Sequence, residues 1–125
     1  MWKNGLKTVA LVTSISLFSA CGFLERSPGD TVEKFYEKAE NGETNEAIDL
    51  FSDDFVDTFG RGKLRMAISE NADNYEGVRI TIEDEEINGD TATVIYTIEL
   101  EDGSERNETT DLIKEDGEWK MIPSK

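Results

Sequence analysis

From Ser27 onward the chain changes hydrophobic rhythm once. As far as Tyr75 the apolar side chains recur every three or four positions; from Val78 they alternate with polar ones. The first rhythm predicts helices. Ser27-Pro28-Gly29-Asp30 reads as a helix start, with Ser27 as N-cap, Pro28 at the first helical position and an acid three residues after the cap. Val32, Phe35, Tyr36 and Ala39 then form one apolar face, Glu33, Lys34, Glu37 and Lys38 form a solvated one, and Asn41-Gly42 ends the helix. A short second helix is predicted from Thr44, capped by its hydroxyl, carrying Ala47, Ile48, Leu50 and Phe51 until Ser52-Asp53-Asp54 interrupts it. Phe55, Val56 and Phe59 make a further apolar patch, and a third helix from Lys63 to Asn74 would bury Leu64, Ala67 and Ile68, together with Asn71 and Tyr75.

The second rhythm predicts strands. Val78, Ile80 and Ile82 alternate with polar residues before Asn88-Gly89-Asp90; Ala92, Val94, Tyr96, Ile98 and Leu100 form the next face before Asp102-Gly103. A polar strand follows from Ser104 to Lys114, with Leu112 and Ile113 at its end. Asp116-Gly117 then turns the chain into Trp119, Met121 and Ile122. Turns of the Asn-Gly and Asp-Gly kind favour tight hairpins, so the four runs form an antiparallel meander. Helices first and an antiparallel sheet second means an α+β domain, its N-terminal helices covering one face of a four-stranded sheet.

Upstream of this domain the pattern is different. Met1 to Lys7 is short and basic, and Thr8 to Ala20 is uncharged and apolar, too short to span a hydrocarbon core that needs about 20 residues. The stretch Leu17-Phe18-Ser19-Ala20-Cys21 resembles the bacterial lipoprotein signal, in which small residues precede a cysteine that receives a diacylglycerol and becomes the new N-terminus. Phe18 stands where that signal favours leucine. The resemblance implies three segments: a signal peptide over 1–20, a lipidated tether over 21–26, and the α+β domain over 27–125. It implies acyl chains on Cys21 as the link to a membrane and an extracytoplasmic location. With Gly22 rather than aspartate after the cysteine, it implies the outer membrane in a cell with two membranes, and an outward-facing domain in a cell with one. Two or three acyl chains hold a protein stably where one does not. The tether from Gly22 to Arg26 is short enough to keep the domain against the bilayer surface.

Charge narrows the partners. The chain carries 13 basic and 28 acidic side chains, a formal −15, and loss of Lys3 and Lys7 with the leader makes it −17. Such a surface repels phosphate backbones and anionic head groups, so nucleic acid is excluded as a partner and membrane attachment rests on the lipid. There is one cysteine and no histidine, which removes intramolecular disulfides, cysteine-based metal sites and the usual general base near neutral pH. Gly60-Arg61-Gly62-Lys63 lacks the phosphate-loop spacing, having one residue between its glycines and Leu64 after the lysine. Asp84 to Asp90 has the cadence of a calcium loop only up to Gly89; its twelfth position is Ile95. Neither a metal nor a cofactor is expected. Asn107-Glu108-Thr109 also matches a glycosylation acceptor.

The order of a capped helix at Ser27-Pro28 with Phe35-Tyr36, a short helix with Ala47 and Phe51, and strands ending in Gly117-Glu118-Trp119-Lys120-Met121-Ile122 resembles the small lipoprotein-type domains of the nuclear transport factor 2-like superfamily. The nearest members are similar to a family known only as a domain of unknown function with a lumazine-binding-like label. The resemblance implies a curved sheet wrapping one long helix into a cone that can hold a ligand. Its enzymes of the isomerase kind pair a carboxylate with a tyrosine inside the cone. Here the candidate pocket residues are Tyr36, Tyr96, Asp111 and Trp119; Asp111 shares a strand face with Thr109 and Ile113, which would point it inward, where burial would raise its pKa. The favoured reading is a non-enzymatic, membrane-anchored module that binds a small ligand or an envelope protein. The alternatives are an isomerase or hydratase using Asp111 with a tyrosine, and an acidic inhibitor or immunity-type protein for a basic partner.

Overall fold

A computed structural model describes residues 26–123; the leader, Cys21, the tether up to residue 25 and the last two residues lie outside the described residues. Among the described residues five helices precede four strands: α1 Pro28–Glu40, α2 Thr44–Ile48, α3 Asp53–Phe59, α4 Arg61–Glu70, α5 Ala72–Tyr75, β1 Arg79–Asn88, β2 Thr91–Glu99, β3 Glu105–Glu115 and β4 Glu118–Ile122. The sheet order is β1-β2-β3-β4 with every pairing antiparallel, so the domain is α+β with a meander sheet, as the two hydrophobic rhythms predict.

α1 begins where its sequence says it should. The Ser27 hydroxyl accepts from the Asp30 N–H at 3.1 Å, and the Asp30 carboxylate accepts from the Ser27 N–H at 3.3 Å, a reciprocal capping box. The second helix departs from expectation. Thr44 lies inside α2 and its hydroxyl donates back to the Gly42 carbonyl, leaving the helix without a side-chain cap. The predicted continuation through Phe51 is broken because Met121 competes for the backbone: the Met121 N–H donates to Leu50 at 2.8 Å and the Ser52 N–H donates to Met121 at 2.9 Å. Phe51 thus becomes a parallel bridge beside β4. Ser52, read as an interruption, instead caps α3 by accepting from the Phe55 N–H at 3.2 Å. The third predicted helix divides at Asn71, which is exposed rather than buried because its side-chain amide turns back to donate to the Ala67 carbonyl at 2.7 Å. After this break α5 carries Tyr75 against α1.

Asp116 and Gly117 both have positive φ, +52° and +80°, as the tightest hairpin type requires, and they join β3 to β4. In β1 the register jumps between Ile82 and Asp84, so Glu83 is an extra residue opposite Tyr96 and Ile95 of β2. Such a bulge bends its strand and increases local twist, curving the sheet around α1. The Asp84–Asp90 segment is accordingly strand and hairpin turn, not a metal loop flanked by helices.

One face of the sheet, formed by Ala92, Val94, Tyr96, Ile98, Leu112, Trp119 and Met121, packs on Val32, Phe35 and Ala39 of α1 and on Ala47, Ile48, Phe51, Leu64 and Ile68. The two buried polar side chains among the described residues are both satisfied. One is Ser52; the other is Thr31, whose hydroxyl donates to the Trp119 carbonyl and ties α1 to β4. The opposite face, with Thr81, Glu83, Asn107, Thr109 and Asp111, is open to solvent.

Candidate functional site

β4 is five residues long and pairs with Asp111 to Glu115 only, so the other half of β3, Glu105 to Thr110, extends past it. The sheet and α1 therefore part beside this half of β3, and a cavity of about 250 Å³ opens there between Phe35, Tyr36, Phe51, Tyr96, Glu108 and Thr110. A second cavity of about 210 Å³ lies on the other side of Tyr36, toward Tyr75, Ile98 and Arg106. Together they form the mouth of the cone.

The mouth follows from simple periodicities. Phe35 faces the core of α1, so Tyr36, one position and about 100° further round the helix, stands at the core's border. Leu112 is buried on β3, and counting back by twos places Thr110, Glu108 and Arg106 on the same face. Tyr96 is opposite Glu108 and is buried. The Tyr36 and Tyr96 hydroxyls lie 3.3 Å apart, and Tyr96 meets the Thr110 hydroxyl at 3.0 Å. Three hydroxyls joined by two hydrogen bonds use two of their three O–H donors, so one remains for a guest whichever way the chain runs. Above this chain, Arg106 and Glu108 form a 3.1 Å ion pair at the solvent rim.

Burial pushes the Tyr36 phenol far above its ordinary range, with the neighbouring Tyr96 adding to the effect. Tyr75 moves the same way, again chiefly through burial. Their rings meet edge to face at 5.9 Å, and Tyr36 meets Tyr96 at 6.0 Å. The mouth is thus an aromatic slot with neutral phenol donors on its wall and a carboxylate on its rim. Such a slot can hold a guest that is partly apolar and accepts one hydrogen bond or carries a positive charge.

Of the four residues singled out from sequence, the structure brings two together, Tyr36 and Tyr96. Asp111 lies on the exposed face of β3, where it accepts from the Thr93 hydroxyl at 3.0 Å, so the inward placement expected for it is corrected. The cause is register: Leu112, not Ile113, is the buried member of that apolar pair, which turns every odd-numbered residue of β3 outward. Trp119 is buried opposite Lys114, six residues along β3 from Glu108, or about 20 Å at the rise of a strand. It packs beneath Thr31 and the Lys114 ammonium and does not line the mouth. Glu108, Thr110, Arg106 and Tyr75 join the site without having been singled out. For the three on β3 the signal was available, as the alternation through Leu112.

A larger groove of about 700 Å³ lies on the other side of the sheet's edge, between Phe55 and Phe59 of α3 and Ile113, Ile122 and Pro123. The two phenylalanine rings stack at 5.5 Å. The groove is mostly apolar, with Ser52, Asp54, Thr58 and Glu115 as its polar lining.

No curated protein matches the chain. Among solved structures, a Campylobacter jejuni protein described as a candidate NTF2-like transpeptidase is similar over 79% of this chain and 100% of its own, at 23% identity and a TM-score of 0.63. An NTF2-like protein of unknown function from Cytophaga hutchinsonii is similar over 76% of this chain and 85% of its own, at 13% identity and a TM-score of 0.48. The first likeness establishes the NTF2-like cone, the fold implied by the capped helix and the meander. Residues 19–122 match the model of the family described as Domain of unknown function (DUF4878), and the chain belongs to that family.

Proposed function

We propose that the chain is a membrane-anchored, extracytoplasmic binding module, held by acyl chains on Cys21 and using the mouth of its cone to hold a ligand or an envelope protein. The observation that carries the binding half is the Tyr36–Tyr96–Thr110 hydroxyl chain, which lines an open cavity and, among the described residues, leaves one of its three O–H donors without a partner. Polar groups converging inside a concave, largely aromatic site are the usual mark of a ligand pocket. The anchoring half rests on the sequence pattern ending at Cys21. The test has two arms. Cys21→Ser should abolish fatty-acid labelling and release the protein from membranes; an unlabelled wild type overturns the anchor. Tyr96→Phe should weaken capture of the ligand or envelope partner; undiminished capture overturns the mouth as its site.

An enzymatic reading keeps one supporting observation, Glu108 in the same cavity as two tyrosines. The pair first considered, Asp111 with a tyrosine, is divided between the two faces of the sheet. Glu108 itself is held by Arg106 in a solvated setting, its side chain 38% exposed, unlike the desolvated carboxylates that abstract protons efficiently. Solvent-deuterium exchange into an added ketone that disappears in Glu108→Gln would favour the enzyme over the module.

A further inference from the structure

The open half of β3 is more than the wall of a cavity. The Lys114 N–H donates to the Asp90 carbonyl, on the β2 side of the strand. Backbone polarity alternates along an antiparallel strand, so Leu112, Thr110, Glu108 and Arg106 also address β2. The opposite phase is visible on β4. Met121 bonds outward to Leu50 and Ser52, so its neighbours Lys120 and Ile122 face β3, opposite Ile113 and Asp111. Beyond Ile122 this pairing stops among the described residues, and Asn107 and Thr109 present their N–H and C=O groups to the open side. β1, the sheet's other edge, is protected differently: it carries a bulge and the consecutive acids Glu83, Asp84, Glu85 and Glu86. The open half of β3 pairs with β2 in unbroken register, without a bulge, and its charges are mixed in sign, Glu105, Arg106 and Glu108, rather than a run of acids.

We propose that the partner of this module is an extended, basic peptide segment that adds as a strand along Asn107 to Thr109 of β3 and drops one cationic side chain into the mouth. This rests on the reading of the mouth as a binding site and names its partner class. A guest strand antiparallel to β3 forms hydrogen-bonded pairs with Asn107 and Thr109, and the guest residue opposite Glu108 then points to the cone side of the sheet. There it meets the rings of Tyr36 and Tyr96 and the carboxylate of Glu108, which it would share with Arg106. A lysine or arginine suits that environment, its stem along the aromatic wall and its charge at the rim. The chain's formal −15 favours the same choice over an acidic guest.

The test uses the full-length protein in detergent micelles and a fluorescein-labelled peptide of four Val-Lys repeats, read by anisotropy. With lysine facing the cavity, the valine N–H groups bond to β3 and the lysine N–H groups face away. N-methylation of the valines should therefore weaken binding about tenfold or more, as expected for losing two backbone hydrogen bonds. N-methylation of the lysines should leave binding within about twofold, and the parent peptide should shift the Asn107 and Thr109 amide resonances. Equal sensitivity to the two methylations, insensitivity to both, or no binding at all overturns strand addition. Binding without methylation dependence that still perturbs Tyr36 and Tyr96 overturns strand addition while leaving the mouth as a ligand site. The Cys21→Ser fractionation judges the anchor separately.

Discussion

Tyr36 of α1 and Tyr96 of β2 are joined twice, by hydroxyls 3.3 Å apart and by rings meeting edge to face at 6.0 Å. Tyr96 is the centre of the hydroxyl chain because it also meets Thr110. Tyr96→Phe removes both hydrogen bonds and is expected to destabilise the fold by about 1–3 kcal/mol; Tyr36→Phe removes one and should cost about 0.5–1.5 kcal/mol. In the double variant the Tyr36 change should add little, since its partner hydroxyl is already gone. Urea denaturation of the three variants checks this, and strictly additive values would mean that the two hydroxyls are not bonded.

The same burial produces a pH dependence. The folded-state value of the Tyr36 phenol is raised above that of an unfolded tyrosine, about 10. Between those values the folded state holds the proton and the unfolded state does not, so stability falls as pH rises. The contribution is intact below about pH 10 and is lost progressively above it. Denaturation midpoints should be insensitive to Tyr36 ionisation at neutral pH and drop on the alkaline side. Tyr36→Phe should make that drop shallower than in the wild type. A parallel alkaline decline in both proteins would show that Tyr36 is not the group responsible.

The fold was legible where one local signal had no competitor. Ser27-Pro28-Gly29-Asp30 can do little except start a helix, and Asp116-Gly117 little except turn a hairpin. Legibility failed where tertiary contacts decided. Phe51 satisfies the spacing of a helix, yet the free edge of β4 takes its neighbours' backbone groups. At the site, Leu112 and Ile113 are adjacent and both apolar, so periodicity alone does not say which faces inward. That single ambiguity put Asp111 inside and kept Glu108 and Thr110 out of view. The length of β4 mattered as well, since its early end is what opens the mouth, and Ile122-Pro123 gives only a weak sign of it.

At the start of the domain, Ser27→Ala removes the hydroxyl that accepts from Asp30 and should cost about 1 kcal/mol, within the usual range for helix caps. Ser27→Asp should restore most of it, because a carboxylate also accepts there. The cost should appear as a lower urea midpoint with an unchanged slope. Destabilisation by alanine that aspartate fails to rescue would point to packing around the neighbouring buried Pro28 instead.

Two carboxylates on one strand now carry opposite expectations. Asp111 accepts from the Thr93 hydroxyl on the solvated face, while Glu108 borders the cavity shared by Tyr36 and Tyr96. Asp111→Asn should change stability by no more than about 0.5 kcal/mol, as for ordinary surface positions, and should leave the tyrosine ring resonances in place. Glu108→Gln should shift the ring resonances of Tyr36 and Tyr96, and it should weaken a cationic guest by removing the charge at the rim. If Asp111→Asn moved those rings and Glu108→Gln did not, β3 would have to be paired one residue out of step with β2. Leu112 would then face solvent and Ile113 the core, and the mouth as described would not exist.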